Sequence, residues 1–148
     1  MSLKESLLAD WKKSMKARDR FTANVLSDVR AAILNFDKSG QGEADDQTAM
    51  EIIAKEVKMR RDSIVEFKKG NREDLIKKAE DEIEILFQYL PKQLTEEEIL
   101  TIVSSVADEI GANNMKDMGK LMSAVIPQVK GKADGKLVNE IVREVLNR

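Results

Sequence analysis

The chain has 148 residues, 42% of them apolar and 35% charged, with 27 acids against 25 bases and a formal net charge of -2. It contains no cysteine and no histidine, which excludes disulfides, thiol nucleophiles, Cys/His zinc sites and every triad that needs an imidazole. No uncharged apolar run approaches the roughly 18 residues of a membrane span. The first residues lack the apolar core of a signal peptide, and the expected compartment is the cytoplasm.

The apolar pattern is helical nearly throughout. Ser2 and Glu5 have the spacing of a capping box, and Leu3, Leu7, Trp11 and Met15 follow at every fourth position. Phe21, Val25, Val29, Ile33 and Phe36 predict a second helix that runs out near Ser39-Gly40-Gln41-Gly42. Asp45 or Asp46 is placed to cap a third, with Met50, Ile53, Val57, Ile64 and Phe67 as its stripe and Gly70 as its end. Asn71 is placed to cap a fourth, carrying Leu75, Ala79, Ile83, Leu86 and Leu90 and closed by Pro91. Thr95 with Glu98 predicts a second capping box, ahead of Ile99, Ile102, Val103, Val106 and Ile110, and Gly111 is placed as a left-handed stop. A sixth helix is expected from about Met115, with Met118, Leu121, Met122 and Val125. A seventh follows Asp134-Gly135, with Leu137, Ile141, Val142 and Val145. The expected fold is all-α in two helical subdomains: about four helices over residues 1–91, then a smaller three-helix unit over residues 92–148.

Two stretches concentrate positive charge. Lys55, Lys58, Arg60, Arg61, Lys68, Lys69 and Arg72 face three acids between positions 55 and 72. Lys116, Lys120, Lys130, Lys132 and Lys136 face two acids between positions 116 and 136. Arg60 falls about 20° from Ile53 on a helical wheel, inside the apolar stripe, so an internal ion pair is expected for it. The other bases of that segment form a secondary basic patch. Residues 127–136 admit two readings. Gly131 and Gly135 can let the backbone approach a phosphate at a helix N-terminus flanked by lysines. Alternatively, the segment is a plain turn with Asp134 as N-cap and the lysines in solvent. It is not a P-loop, because Leu137 stands where the Ser/Thr belongs and no strand precedes it. Glu80, Asp81, Glu82 and Glu84, with expected pairs Glu73–Lys77 and Asp74–Lys78, read as a solvated face. No metal or cofactor is expected.

The blocks Lys55-Glu56-Val57-Lys58-Met59-Arg60-Arg61-Asp62-Ser63-Ile64, Tyr89-Leu90-Pro91-Lys92-Gln93-Leu94, Lys116-Asp117-Met118-Gly119-Lys120-Leu121-Met122 and Val129-Lys130-Gly131-Lys132-Ala133-Asp134-Gly135-Lys136 resemble the YqeY family. The resemblance extends over essentially the whole chain, and Ser27 stands where the family pattern has an arginine. That family is similar to the tail domain of the B subunit of glutamine-dependent aspartyl/glutamyl-tRNA amidotransferase. The resemblance implies a GatB/YqeY-type helical module that helps hold tRNA, while the carbon–nitrogen ligase chemistry belongs to other domains. The expectation is therefore a non-catalytic tRNA-binding module that reads shape and phosphates, which needs no aromatic platform. Lys116, Lys120, Lys130, Lys132 and Lys136 are expected to meet phosphates, Gly131 and Gly135 to admit the backbone, and Asn139 to supply an oriented hydrogen bond. The alternative is a protein-interaction module that docks on an amidotransferase or another tRNA-handling enzyme without touching RNA.

Overall fold

A computed structural model describes residues 1–148. It contains seven α-helices, a single 3-10 turn and no strand: α1 (Leu3–Lys16), α2 (Arg20–Asp37), α3 (Asp46–Lys69), α4 (Glu73–Phe87), α5 (Glu96–Ile110), the turn Met115–Asp117, α6 (Met118–Val129) and α7 (Gly135–Leu146). The chain divides into two compact units, Met1–Leu90 and Pro91–Arg148.

In the first unit α1 packs on α2 and α3 on α4, and α2 also touches α3 and α4. Leu7, Leu26, Val29, Ile53 and Leu86 are fully buried at the centre of one core. The expected stripe of α1 is wrong at its end. Met15 is 54% exposed, and Ser14 is buried in its place. A strict four-residue spacing advances about 400° per step and so drifts about 40° off the face each time, whereas Ser14, seven residues after Leu7, returns to within about 20° of it. Burial leaves the Ser14 hydroxyl satisfied, since it donates to the Asp10 carbonyl at 2.9 Å. At the start of α1, Ser2 Oγ accepts the Glu5 N–H at 3.2 Å, and the Leu3 N–H goes to the Asp46 carboxylate at 2.9 Å.

At the corner between α3 and α4, Gly70 ends α3 as expected, but the cap of α4 differs. Gly70 has φ −93° and Asn71 is the left-handed residue, at φ +55°. The Asn71 and Arg72 N–H groups donate to the carbonyls of Lys68 and Phe67, the pair of bonds that closes a Schellman motif. Arg72, not Asn71, then occupies the N-cap of α4, and its guanidinium forks onto Asp74 at 3.2 and 3.0 Å. Lys77 pairs with Asp81 at 3.5 Å rather than with Glu73.

In the second unit the capping box of α5 is complete, with Thr95 and Glu98 exchanging bonds of 3.2 Å. Gly111 stops the helix at φ +70°. α6 begins three residues later than expected because Asn114 accepts the Lys116 N–H at 2.9 Å and caps the 3-10 turn first. Pro127 lies in the last turn of α6. Ile99, Val103, Leu121, Val125, Val138 and Val142 form the centre of this unit's own core.

Candidate nucleic-acid interface

The segment between α6 and α7 owes its shape to one tight turn. Lys130 has φ −56° and ψ 124°, Gly131 has φ +78°, and the Lys132 N–H donates to the Val129 carbonyl at 2.8 Å. These values define a type II β-turn, whose third position requires positive φ and therefore favours glycine. Residues just before α5 hold the turn. Gln93 Nε2 donates to the Gly131 carbonyl at 3.0 Å and to the Pro91 carbonyl at 2.9 Å. The Leu94 N–H donates to the Lys132 carbonyl at 2.8 Å. Nothing in the periodicity signals the bonds to Gly131 and Lys132, which join positions 38 residues apart. Asp134 then caps α7 by accepting the Lys136 N–H at 3.3 Å.

The geometry divides the labour differently from the sequence reading. Gly131 meets a backbone demand, while Gly135 is the first residue of α7 and has no positive φ. The Asp134 carboxylate sits at the α7 N-terminus where an external anion would bind, so the attraction left for a phosphate comes from the lysines. Lys132 and Lys136 are exposed, and Asn139, half-buried, lies one turn along the same face from Lys136. Lys130 and Asp134 have interaction partners of their own. Lys116, in the 3-10 turn, and Lys120, in the first turn of α6, are exposed. Ten residues of helical rise separate Lys120 from Lys130, about 15 Å. The five lysines therefore form two groups rather than one phosphate pocket.

In the secondary patch, carboxylates already neutralise about half the charge at short range. Lys58 pairs with Asp62 at 3.2 Å, Lys69 with Glu66 at 3.2 Å, and Arg72 with Asp74 at 3.0 Å. The bond to Arg72 holds the Asp74 carboxyl below its ordinary range and raises the guanidinium. Arg61 stacks over Phe87 at 5.5 Å, and Lys55 and Lys68 are exposed. Arg60, its side chain 12% exposed, reaches Glu82 at 3.1 Å, Glu56 at 3.2 Å and Asp28 at 3.3 Å. This is the internal pairing expected of a cation in an apolar stripe.

Sequence reasoning passed over the densest run of bases. Lys12, Lys13, Lys16, Arg18 and Arg20 fall within nine residues against the single acid Asp19, and all five are exposed. A charge count in a nine-residue window finds them. Nearby, the Trp11 indole N–H donates to Ser27 at 2.9 Å and Arg30 stacks over the indole at 4.8 Å. Between α1 and α2 lies a mostly apolar groove of about 370 Å³, lined by Leu7, Leu8, Ala31 and Leu34 and bordered by the 2.8 Å Lys4–Asp37 ion pair. No three acids gather as a metal site, and no helix is long and apolar enough to cross a membrane.

A family model described as Yqey-like protein matches residues 4–146. Among curated proteins, the chain is similar to "Altered inheritance of mitochondria protein 41, mitochondrial" from several fungi. Identity to the Pyrenophora tritici-repentis protein is 29% over 143 residues, covering 95% of this chain and 78% of the relative. For the Saccharomyces cerevisiae protein it is 30% over 142 residues, covering 94% and 68%. The Lachancea thermotolerans protein is 35% identical over 112 residues, covering 74% of this chain and 60% of that protein.

Proposed function

The chain belongs to the Yqey-like protein family, and from that premise we propose that it is a non-catalytic module that binds tRNA by shape and phosphate contacts. In this reading it serves glutamine-dependent, amidotransferase-like systems whose chemistry lies on other chains. One observation carries the reading: the Lys130-Gly131-Lys132 turn is fixed from behind by Gln93 and Leu94, with Lys132 and Lys136 left exposed beside it. A turn fixed in this way presents its cations without first having to be ordered, so less conformational entropy opposes binding. Lys116, Lys120, Lys130, Lys132 and Lys136 neutralise phosphates, Gly131 permits the turn, and Asn139 hydrogen-bonds a sugar or phosphate oxygen. Lys55, Lys58, Arg61, Lys68, Lys69 and Arg72 contribute less, because several are committed to carboxylates. The reading places the chain in the cytoplasm, where tRNA is available, whereas the names of the fungal relatives place those proteins in mitochondria.

The test is binding of purified protein to total tRNA across a salt titration. A log–log slope between about −2 and −5 is expected, reduced by about 2 in the triple variant Lys130→Glu, Lys132→Glu, Lys136→Glu. No binding at low salt refutes the reading. The apolar groove of about 370 Å³ between α1 and α2 favours the second reading, docking on a tRNA-handling enzyme. A partner that survives nuclease in a lysate pull-down distinguishes that reading, since an RNA-bridged one does not.

A further inference from the structure

The corner joining α1 to α2 breaks two local rules at once. Arg18 is the left-handed residue of a Schellman motif, at φ +58°. Its N–H donates to the Met15 carbonyl at 3.2 Å and the Asp19 N–H donates to the Ser14 carbonyl at 3.0 Å. Glycine is the residue this position favours, and an arginine there is strained. Arg20 is the first residue of α2, whose first turn carries no acid, so its charge opposes the positive end of the helix dipole. Lys13 and Lys16 suit the last turn of α1, but helix stability explains neither arginine. Departures from local preference are expected at functional or strained positions, so this corner invites a functional account.

The surroundings leave these charges available. The cationic side chains of Lys12, Lys13, Lys16, Arg18 and Arg20 meet no carboxylate, in contrast to Lys58, Lys69 and Arg72 on α3 and beyond it. Asp19, the single acid of the run, is spent on capping α2 by accepting the Thr22 N–H at 3.1 Å. Arg18 and Arg20 line one recess of about 260 Å³ with Ser14, Met15 and Asp19. Met15 is 54% exposed and Phe21 is 37% exposed at the same corner, apolar area suited to an unstacked base rather than to a lipid bilayer, which needs a continuous apolar face.

We propose that Lys12, Lys13, Lys16, Arg18 and Arg20 form a second binding surface for the phosphodiester backbone of RNA, separate from the Lys130–Lys136 turn. This rests on the reading that the chain meets RNA. The Schellman turn fixes the direction of the Arg18 backbone, and the two arginines supply forked donors that match phosphate oxygens.

The experiment compares binding of the full chain to total tRNA across a salt titration for three proteins. These are the unaltered chain, the corner variant Lys12→Gln, Lys16→Gln, Arg18→Gly, Arg20→Gln, and the turn variant Lys130→Glu, Lys132→Glu, Lys136→Glu. Arg18→Gly and Arg20→Gln remove residues the local structure disfavours, so helicity is retained and is checked by circular dichroism; Arg18→Gly with Arg20→Gln alone supplies a milder second variant. The corner variant is expected to lose about tenfold or more in affinity and to flatten the log–log slope by about 2 to 3, and the milder variant by about half as much. An unchanged slope in both, while the turn variant weakens binding, overturns the second surface and leaves the tRNA reading intact. If the unaltered chain does not bind at low salt, both fall. An unchanged tRNA slope together with lost adsorption to vesicles of phosphatidylcholine and phosphatidylglycerol also overturns the proposal, by identifying a lipid surface.

Discussion

Gly131 illustrates how much one residue's backbone decides. A side chain there meets no atom within 4 Å, so the whole cost of Gly131→Ala comes from holding φ at +78°. The expected loss is about 1–2 kcal/mol, read as a lower denaturant midpoint with unchanged m-value. Arg60→Ala acts by a different route. It strands Glu56 and Glu82, whose side chains are only 13% and 18% exposed, and the expected loss is about 2 kcal/mol or more, measured in the same titration. Arg60 was legible in the sequence because a cation on an apolar stripe must be paired. Gly131 was legible as a turn glycine, but the type of turn was not, since it needs the dihedrals of its neighbours to recognise. Gln93 was not legible at all, since a side-chain amide gives no sign of which distant carbonyl it will meet.

The helices carry most of what the sequence revealed. Their caps are short-range chemistry, and Asp45, Thr95, Asp134 and Gly111 all stand where spacing placed them. Misreadings occurred where two adjacent residues compete for one place, as Asn71 and Arg72 do for the N-cap of α4, or where a strict four-residue count outruns the helical period, as at Met15. Thr95→Ala removes the bond that the Thr95 hydroxyl accepts from the Glu98 N–H and keeps the one its own backbone N–H donates to Glu98; it is expected to destabilise α5 by about 1 kcal/mol, visible as faster amide exchange in its first turn. The caps also set the response to acid. Asp19, Asp45 and Glu98 accept backbone N–H groups at helix starts, and Asp37 accepts from Lys4 and Ala44; all four carboxyls are held below their ordinary values. A lowered folded value means the stabilisation is complete above the unfolded value, about 4, and is lost as pH falls through the folded one. Tyr89 behaves in the opposite sense. Burial and its bond to Asp10 raise it above the usual 10.0, so its contribution holds below that value and is lost as pH rises through the folded one. With no histidine between these limits, the melting temperature is expected to change little from pH 5 to 9 and to fall on both sides.

At the scale of the molecule, each compact unit has its own buried cluster. A fragment of residues 91–148 is expected to fold alone, with helical circular dichroism and a cooperative melt, since domains of about 60 residues reach the lower limit of independent stability. Loss of cooperativity in that fragment refutes the expectation. The all-α class followed directly from period and capping. The distribution of unpaired charge did not, because pairing depends on which carboxylates the fold brings within reach: a window count finds the run from Lys12 to Arg20, but not that its cations lack the carboxylate partners that Lys58, Lys69 and Arg72 have.

The hydrogen bond from the Tyr89 hydroxyl to Asp10, 2.6 Å long, links residues 79 positions apart. On a ribosome adding about 5–20 residues per second, that separation is roughly 4–16 s of synthesis. The first helix of the nascent chain thus waits that long for its latch. Until then its Asp10 and the flanking basic run are open to whatever else is near the tunnel exit, including the ribosome's own RNA.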